Sequence, residues 1–334
     1  MTKHIEAIDI LKGITIILVV IGHVVQGVSS SYQLTLNTQY SSIFILKQII
    51  YGFHMPLFFM IAGIFINSWT KKSFNEAISQ KIIRLVMPYF IWSAITASIM
   101  QLAIKYTNNG LGIKELLLSP IVPFSQYWFL YVLFFIHIIY YIFIKCSKEN
   151  GKLLFLITSS ILFGLNPFIE DIWIFNNLCN FMIFFSLGSY ILDFIDLKQF
   201  SCKKILMPLI IFLLVNIVYV NILYMNNDLL AYYFWFITSI VGSWFCFLLS
   251  YYLINSITKI KSILIFFGKC SMEVYCTHLF GLAGVRIFLL KVLKINEPWI
   301  VVILSICITL SMCYIVFEKT SYRKTKIKLL FGIK

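Results

Sequence analysis

Apolar residues run through this chain in long unbroken stretches, separated by short polar connections rather than alternating with polar positions. Continuous runs of this kind predict helices that satisfy their own backbone in lipid, and the missing period-2 alternation excludes an outer-membrane barrel. Reading runs of about 17–25 residues gives spans at about 7–28, 43–66, 82–104, 126–144, 153–169, 173–192, 205–224, 231–254, 270–290 and 298–317. The fifth is short, and the ninth carries Glu273 and Arg286 inside it. The expected fold is an all-α polytopic integral membrane protein of about ten transmembrane helices. It is read as a single transmembrane domain over residues 1–334 without an extramembrane domain, since the connections near 29–42 and 105–125 are too short to fold alone.

Composition agrees. Sixty per cent of the 334 residues are hydrophobic and only 12% are charged, too few to give a water-soluble fold its polar shell. A net charge of +14 raises the possibility of a nucleic-acid partner, but the positions of the bases argue against one. Most of them cluster in alternate connections, at 71–84, 145–152, 198–204 and 259–269 and in the tail from 319, with Lys3 and Lys12 at the start. The positive-inside rule then predicts both termini in the cytoplasm, in agreement with an even number of spans. The first run lacks a cleavage site and is expected to remain as the first helix. The eight cysteines form no C-x-x-C pair, and no metal is implied.

Ionisable groups inside a bilayer are costly unless they face a partner or a cavity. The first span carries Asp9, Lys12, His23 and Gln26. At about 100° per residue, Lys12 and His23 differ by about 20° and Asp9 and His23 by about 40°, so all four share one face. Asp9 and His23 are about 21 Å apart along the axis, most of a hydrocarbon core about 30 Å thick. The stripe therefore predicts a polar path from the cytoplasmic edge toward the outer leaflet. The third span opens with Lys81-Ile-Ile-Arg84. These two bases one turn apart read either as a positive-inside flank or, with Lys12, as a clamp for a ligand with several phosphates.

In the second span Pro56 cannot donate to the Gly52 carbonyl and predicts a kink, leaving that carbonyl and the His54 imidazole available near mid-membrane. The ninth span offers Ser271, Glu273, Tyr275 and His278; Glu273 and His278 lie about 140° apart and make a poor mutual dyad. His137 has no polar companion at helical spacing and is read as structural. There is no nucleophile elbow, P-loop or dinucleotide fingerprint.

Taken in order, these residues resemble the membrane acyltransferase-3 family, particularly its fucose 4-O-acetylase-like branch. Ile5 to His23 resembles the family's first helix, and Phe53-His54-Met55-Pro56-Leu57-Phe58-Phe59 through Ala62-Gly63 its second. Lys81-Ile-Ile-Arg84 with Pro88-Tyr89 and Trp92-Ser93 resembles its third, and Trp128-Phe129-Leu130 the entry of its fourth. Gly268-Lys269 with Ser271, Tyr275 and His278 resembles its late helix. The resemblance implies a ten-helix O-acetyltransferase of the bacterial plasma (inner) membrane. Such a protein moves acetyl from cytoplasmic acetyl-CoA to a hydroxyl of a cell-surface or lipid-linked glycan, as in capsule or exopolysaccharide modification. It casts His23 as the catalytic histidine, as general base or acyl carrier, and Lys81 with Arg84 as the basic pair on the CoA side. Lys12 stands where many members have Arg. Asp9, Glu273 or His278 would tune His23.

The aromatic residues Tyr127, Trp128, Trp173 and Trp235 read either as sugar-stacking platforms or as an interfacial belt. A transporter is the alternative reading, against which no internally repeated halves are found. The oligomeric state is open, a homodimer among the options.

Overall fold

The structure is a computed structural model that describes residues 2–102, 112–169, 172–194, 204–254, 259–319 and 326–333. The described residues are 86% helical and include no strand. In chain order the helices are α1 (Thr2–Ser31), α2 (Ser41–Tyr51), α3 (His54–Ile64), α4 (Ile66–Trp69), α5 (Phe74–Lys81), α6 (Met87–Leu102), α7 (Ile113–Leu117) and α8 (Trp128–Ser147). They continue as α9 (Gly151–Leu165), α10 (Trp173–Phe194), α11 (Leu206–Tyr224), α12 (Asp228–Leu253), α13 (Lys259–Lys269), α14 (Ser271–Ile287) and α15 (Pro298–Lys319). Among the described residues ten helical stretches are long and apolar enough to cross a membrane, as the hydropathy pattern requires. The protein is a multi-pass membrane protein.

The stretches depart from the sequence reading in two informative places. The third begins at Phe74 rather than near 82, because the polar turns of α5 carry no hydropathic signal yet continue the helix. It is also interrupted by a π turn at Ile82–Val86. The ninth, Ser271–Val292, is preceded by the shorter amphipathic helix α13, which ends one residue before it. α11 shows why these helices belong in lipid: it is apolar all round, and Leu213, Leu214, Ile217 and Val218 lie exposed on it.

Clustering of contacts divides the chain into two compact units. The first holds residues 1–58 and 195–319, and in it α1 packs against α2, α12, α13, α14 and α15. α13 and α14 run alongside α1 in parallel. Lys261 pairs with Glu6 at 3.0 Å, and the rings of His278 and His23 lie 5.1 Å apart. Leu264 faces Gly13, and Gly268 faces Asp9. The pairs Glu6/Lys261, Asp9/Leu264, Gly13/Gly268 and His23/His278 are all separated by the same interval along the chain, which is one fixed parallel register. It is held by backbone contact: a Cβ on Gly13 would lie 2.0 Å from the Leu264 carbonyl oxygen, and one on Gly268 within 1.8 Å of the Asp9 carbonyl oxygen. Without a hydrophobic drive between helices in lipid, such small-residue contacts bring helices close.

The second span breaks in this unit between α2 and α3, at Gly52 and Phe53. The kink is where Pro56 predicts it. The freed Gly52 carbonyl is not left available, however: Ser239 Oγ of α12 donates to it at 2.7 Å. Phe53 lies over Gly242 of α12, where any Cβ would collide with its ring at 2.4 Å. At the loop end, the Tyr40 hydroxyl donates to the Glu297 carboxylate at 2.9 Å, which raises its pKa above the ordinary tyrosine value.

The second unit holds residues 59–194 and 320–334. In it α3 and α10 approach each other reciprocally at glycines. A Cβ on Gly63 would lie 2.1 Å from the Phe185 carbonyl oxygen, and one on Gly188 2.1 Å from that of Met60. The C-terminal 3-10 turn Lys326–Phe331 docks on the third span: Trp92 Nε1 donates to the Leu330 carbonyl at 2.9 Å, and the Trp92 and Phe331 rings lie 5.2 Å apart.

Two outcomes test this packing. Gly268→Leu forces α13 away from α1 and is expected to destabilise the detergent-solubilised protein by about 1–3 kcal/mol, read as a lowered thermal unfolding midpoint. Gly284→Leu, where a Cβ meets nothing within 4 Å, is expected to leave the midpoint unchanged. Ser239→Ala, which strands a buried carbonyl, is expected to cost about 1–3 kcal/mol; equal midpoints for Ser239→Ala and wild type would show that the carbonyl finds another donor.

Candidate active site

In the first unit α1, the end of α2, the start of α3 and α14 bring His23, Tyr51, His54 and His278 together. α1 supplies His23, half-buried on its polar face. Gly22, its neighbour in sequence, leaves room for Tyr51: a Cβ there would lie 3.3 Å from the Tyr51 ring. The Tyr51 hydroxyl reaches His23 Nδ1 at 3.4 Å, and its ring stands edge-on to His54 at 4.9 Å. From the other side, the parallel register of α14 sets the His278 ring 5.1 Å from that of His23.

The hydrogen bonds assign protons. His278 Nδ1 lies 3.0 Å from the Val274 carbonyl and 2.9 Å from that of Tyr275. A carbonyl only accepts, so this nitrogen carries the hydrogen and Nε2 keeps a lone pair. That Nε2 is buried and has no hydrogen-bond partner. His54 is held in the same way, its Nδ1 donating to the Ile50 carbonyl at 2.7 Å. The site therefore offers one imidazole that is half open, His23, and one buried unused acceptor, His278 Nε2. His23 and His54 flank Tyr51 and His278 lies against His23, yet among the described residues no three His, Cys, Asp or Glu side chains are placed to hold a metal ion.

The remaining candidates of this unit lie elsewhere along the same helices. Asp9 is about 21 Å from His23 on the continuous α1, and its carboxylate faces Lys12 at 4.0 Å. The structure therefore does not bring Asp9 to His23. Tyr275 is buried, its ring 6.3 Å from that of His278. Glu273 is buried one turn and a half before His278, and Ser271 is half-buried at the start of α14.

In the second unit Lys81 ends α5 and Arg84 lies inside the π turn that follows, so the two are not carried on one α-helical face. Arg84 is exposed. Lys81 turns inward, its Nζ donating to His137 Nε2 at 2.7 Å and lying 5.0 Å from the centre of the Trp69 ring. His137 Nδ1 donates to the Leu133 carbonyl at 2.7 Å, which leaves Nε2 free to accept. His137 thus has a polar companion, supplied across helices and not along its own. One of the three Lys81 donors is engaged there and two remain. Trp128 packs among Phe59, Trp173 and Phe181, with ring centres 5.3–6.4 Å away. Tyr127 is fully buried with its hydroxyl 2.8 Å from that of Thr96, so it belongs to neither a stacking platform nor an interfacial belt.

Sequence reasoning missed Tyr51, Ser239 and the companion of His137. The break at Gly52 is the one local sign of the first two, since it turns the end of α2 toward α1.

Nodulation protein NolL of Sinorhizobium fredii is 35% identical over 130 residues, which cover 37% of this chain and 32% of that protein. NolL of Mesorhizobium japonicum is 34% identical over 128 residues, 38% of this chain and 32% of that protein. The matched stretch thus spans about a third of either relative. No solved structure matches the chain. The acyltransferase-3 family, described as an acyltransferase domain, matches residues 5–318. The chain, a multi-pass membrane protein with a histidine cluster inside its helices, belongs to that family of acyltransferases.

Proposed function

We propose that the protein transfers an acetyl group from acetyl-CoA to a hydroxyl of a cell-surface or lipid-linked glycan, with His23 as the reacting histidine. The observation that carries this reading is the His23, Tyr51 and His278 cluster, set on the same face of α1 as Lys12 and about 16 Å farther along the axis. A base at one end of a polar face and a histidine deep within it suit a donor whose phosphates stay at the membrane surface while its thioester arm reaches inward. Lys12 is the base of the first unit assigned to those phosphates, as a point charge; in the second unit Lys81 and Arg84 are assigned to acetyl-CoA by the family resemblance, Lys81 as a point charge and Arg84 as a bidentate fork.

Neutral His23 takes the proton of the acceptor hydroxyl at Nε2 while Nδ1–H donates to the Tyr51 oxygen. The acceptor oxygen attacks the thioester carbonyl, the C–O bond forms, and the C–S bond then breaks. The thiolate leaves with the proton from His23, giving CoA thiol and the acetyl ester. The variant in which His23 itself carries the acetyl group predicts ping-pong kinetics. His54 and Tyr275 support the cluster, and Ser271, Glu273 and Trp128 are assigned supporting or acceptor-side roles.

The proposed location is the bacterial plasma membrane with both termini in the cytoplasm. It is supported by the clustering of bases in alternate connections, although Lys198, Lys203, Arg323, Lys324 and Lys334 of those clusters lie outside the described residues.

Membranes containing the protein, given radiolabelled acetyl-CoA and a glycan acceptor, are expected to transfer label with His23→Ala slower by about 10²–10⁴-fold in kcat. Equal transfer by both proteins would remove His23 from the chemistry, and movement of a solute without transfer would favour transport. The double variant Lys81→Ala with Arg84→Ala is expected to raise the KM for acetyl-CoA about tenfold or more with that for the acceptor unchanged; an unchanged donor KM would leave these bases with topology alone.

A further inference from the structure

Arg286 lies in the last turn of α14, inside a helical stretch long and apolar enough to cross the membrane, and is only 8% exposed. No carboxylate, carbonyl or hydroxyl among the described residues accepts from its guanidinium. An unpaired guanidinium inside helices at membrane depth costs several kcal/mol unless something compensates it. The helix does not end there to offer free carbonyls, because it runs on into a π turn at Phe288–Val292.

The position of the guanidinium is informative. In the parallel register of α14 and α1, Arg286 is level with Ser31, yet its Nη1 rests over Gly27, where a Cβ would come within 2.1 Å. The side chain therefore folds back by one turn toward His23 rather than reaching past the helix end, the opposite of the direction in which an arginine near a helix end extends to lipid headgroups. Gly27 follows His23 by one helical turn on the same face, about 6 Å along the axis. On the same side of α14, His278 Nε2 is a buried acceptor without a partner. An unused cation and an unused acceptor thus face the same stretch of α1, next to the half-open imidazole of His23. Lys12 stands about 22 Å away along α1, so a donor whose phosphates rest on Lys12 does not reach Arg286 with them.

We propose that Arg286 binds an anionic group of the acyl acceptor, a carboxylate or a phosphate carried on the sugar that receives the acyl group or on its neighbour. This rests on the reading of His23 as the site of transfer, and it narrows the acceptor from any glycan to an acidic or phosphorylated one. The short step from Gly27 to His23 sets the reach: anion and reacting hydroxyl belong to one or two adjoining sugar units. Gly27 makes the room that the guanidinium occupies.

The test is a binding measurement on the full-length protein in detergent, with no acyl donor present. Glucuronic acid and glucose 1-phosphate are compared with the methyl ester of glucuronic acid, and binding is read as a rise in the thermal unfolding midpoint. The expected result is a rise with at least one of the two anions, at a concentration about tenfold or more below that needed for the ester. Arg286→Gln is expected to abolish the difference and Arg286→Lys to keep part of it. The comparison of acid with ester in wild type holds even where a variant fails to fold. Equal responses to acid, phosphate and ester, or no response to either anion, overturn the proposal. So does a rise with phosphatidylglycerol and with neither sugar anion, which would place a lipid headgroup at Arg286. Acyl transfer is then measured separately: anion binding lost with Arg286→Gln in a protein that transfers no acetyl refutes the transfer reading alone, whereas transfer to uncharged glycans without anion binding refutes this inference alone.

Discussion

Hydrocarbon offers no partner to a polar atom, and this constraint organises both units of the protein. Each polar group placed inside a span must find its complement on its own helix or on a neighbour. His54, His137 and His278 all turn Nδ1 back to a carbonyl of their own span, at 2.7–3.0 Å. Ser239 answers the carbonyl freed by Pro56, and His137 accepts from Lys81. Against that background the exceptions acquire meaning. His278 Nε2 and the Arg286 guanidinium are left without partners, both on α14 and both facing the segment of α1 that carries His23.

Close backbone packing is what makes such pairing possible. Side chains can meet across helices at specified atoms only if the helices keep a fixed register, and glycine contacts set it. Gly13 and Gly268 lock α13 against α1, so that α14, which starts three residues beyond Gly268, delivers His278 opposite His23. Gly22 and Gly27 then admit Tyr51 and Arg286 at successive turns of α1. One helix thus acts as the axis of the site. Its glycines face three neighbours, and its polar residues lie between them.

The same logic explains what was legible beforehand. Ten spans could be read because a crossing helix is a contiguous apolar run whose length the bilayer imposes. The polar face of α1 was visible because it repeats with the helical period over fourteen residues from Asp9 to His23. The kink at Gly52 followed from proline chemistry. The start of the third span was misplaced because α5 is polar, and the shared face of Lys81 and Arg84 failed because the π turn that holds Arg84 has no hydropathic signature. Asp9 shares the angular face of His23 but stands about 21 Å from it along the axis, and its carboxylate meets Lys12 instead.

By itself, then, the amino-acid sequence determined the class of protein, the number of crossings, the polar face of α1 and, through its resemblance to the acyltransferase-3 family, the histidine to examine. All of these are properties of contiguous segments in a bilayer, or of motifs held within them. The partners of that histidine were decided only by tertiary structure. Tyr51 follows His23 by 28 residues, and His278 and Arg286 come more than 250 residues later in the chain. Their meeting depends on the lateral register of α1 with α2 and α14, which glycine contacts between backbones set and which no local period of apolar or polar residues encodes.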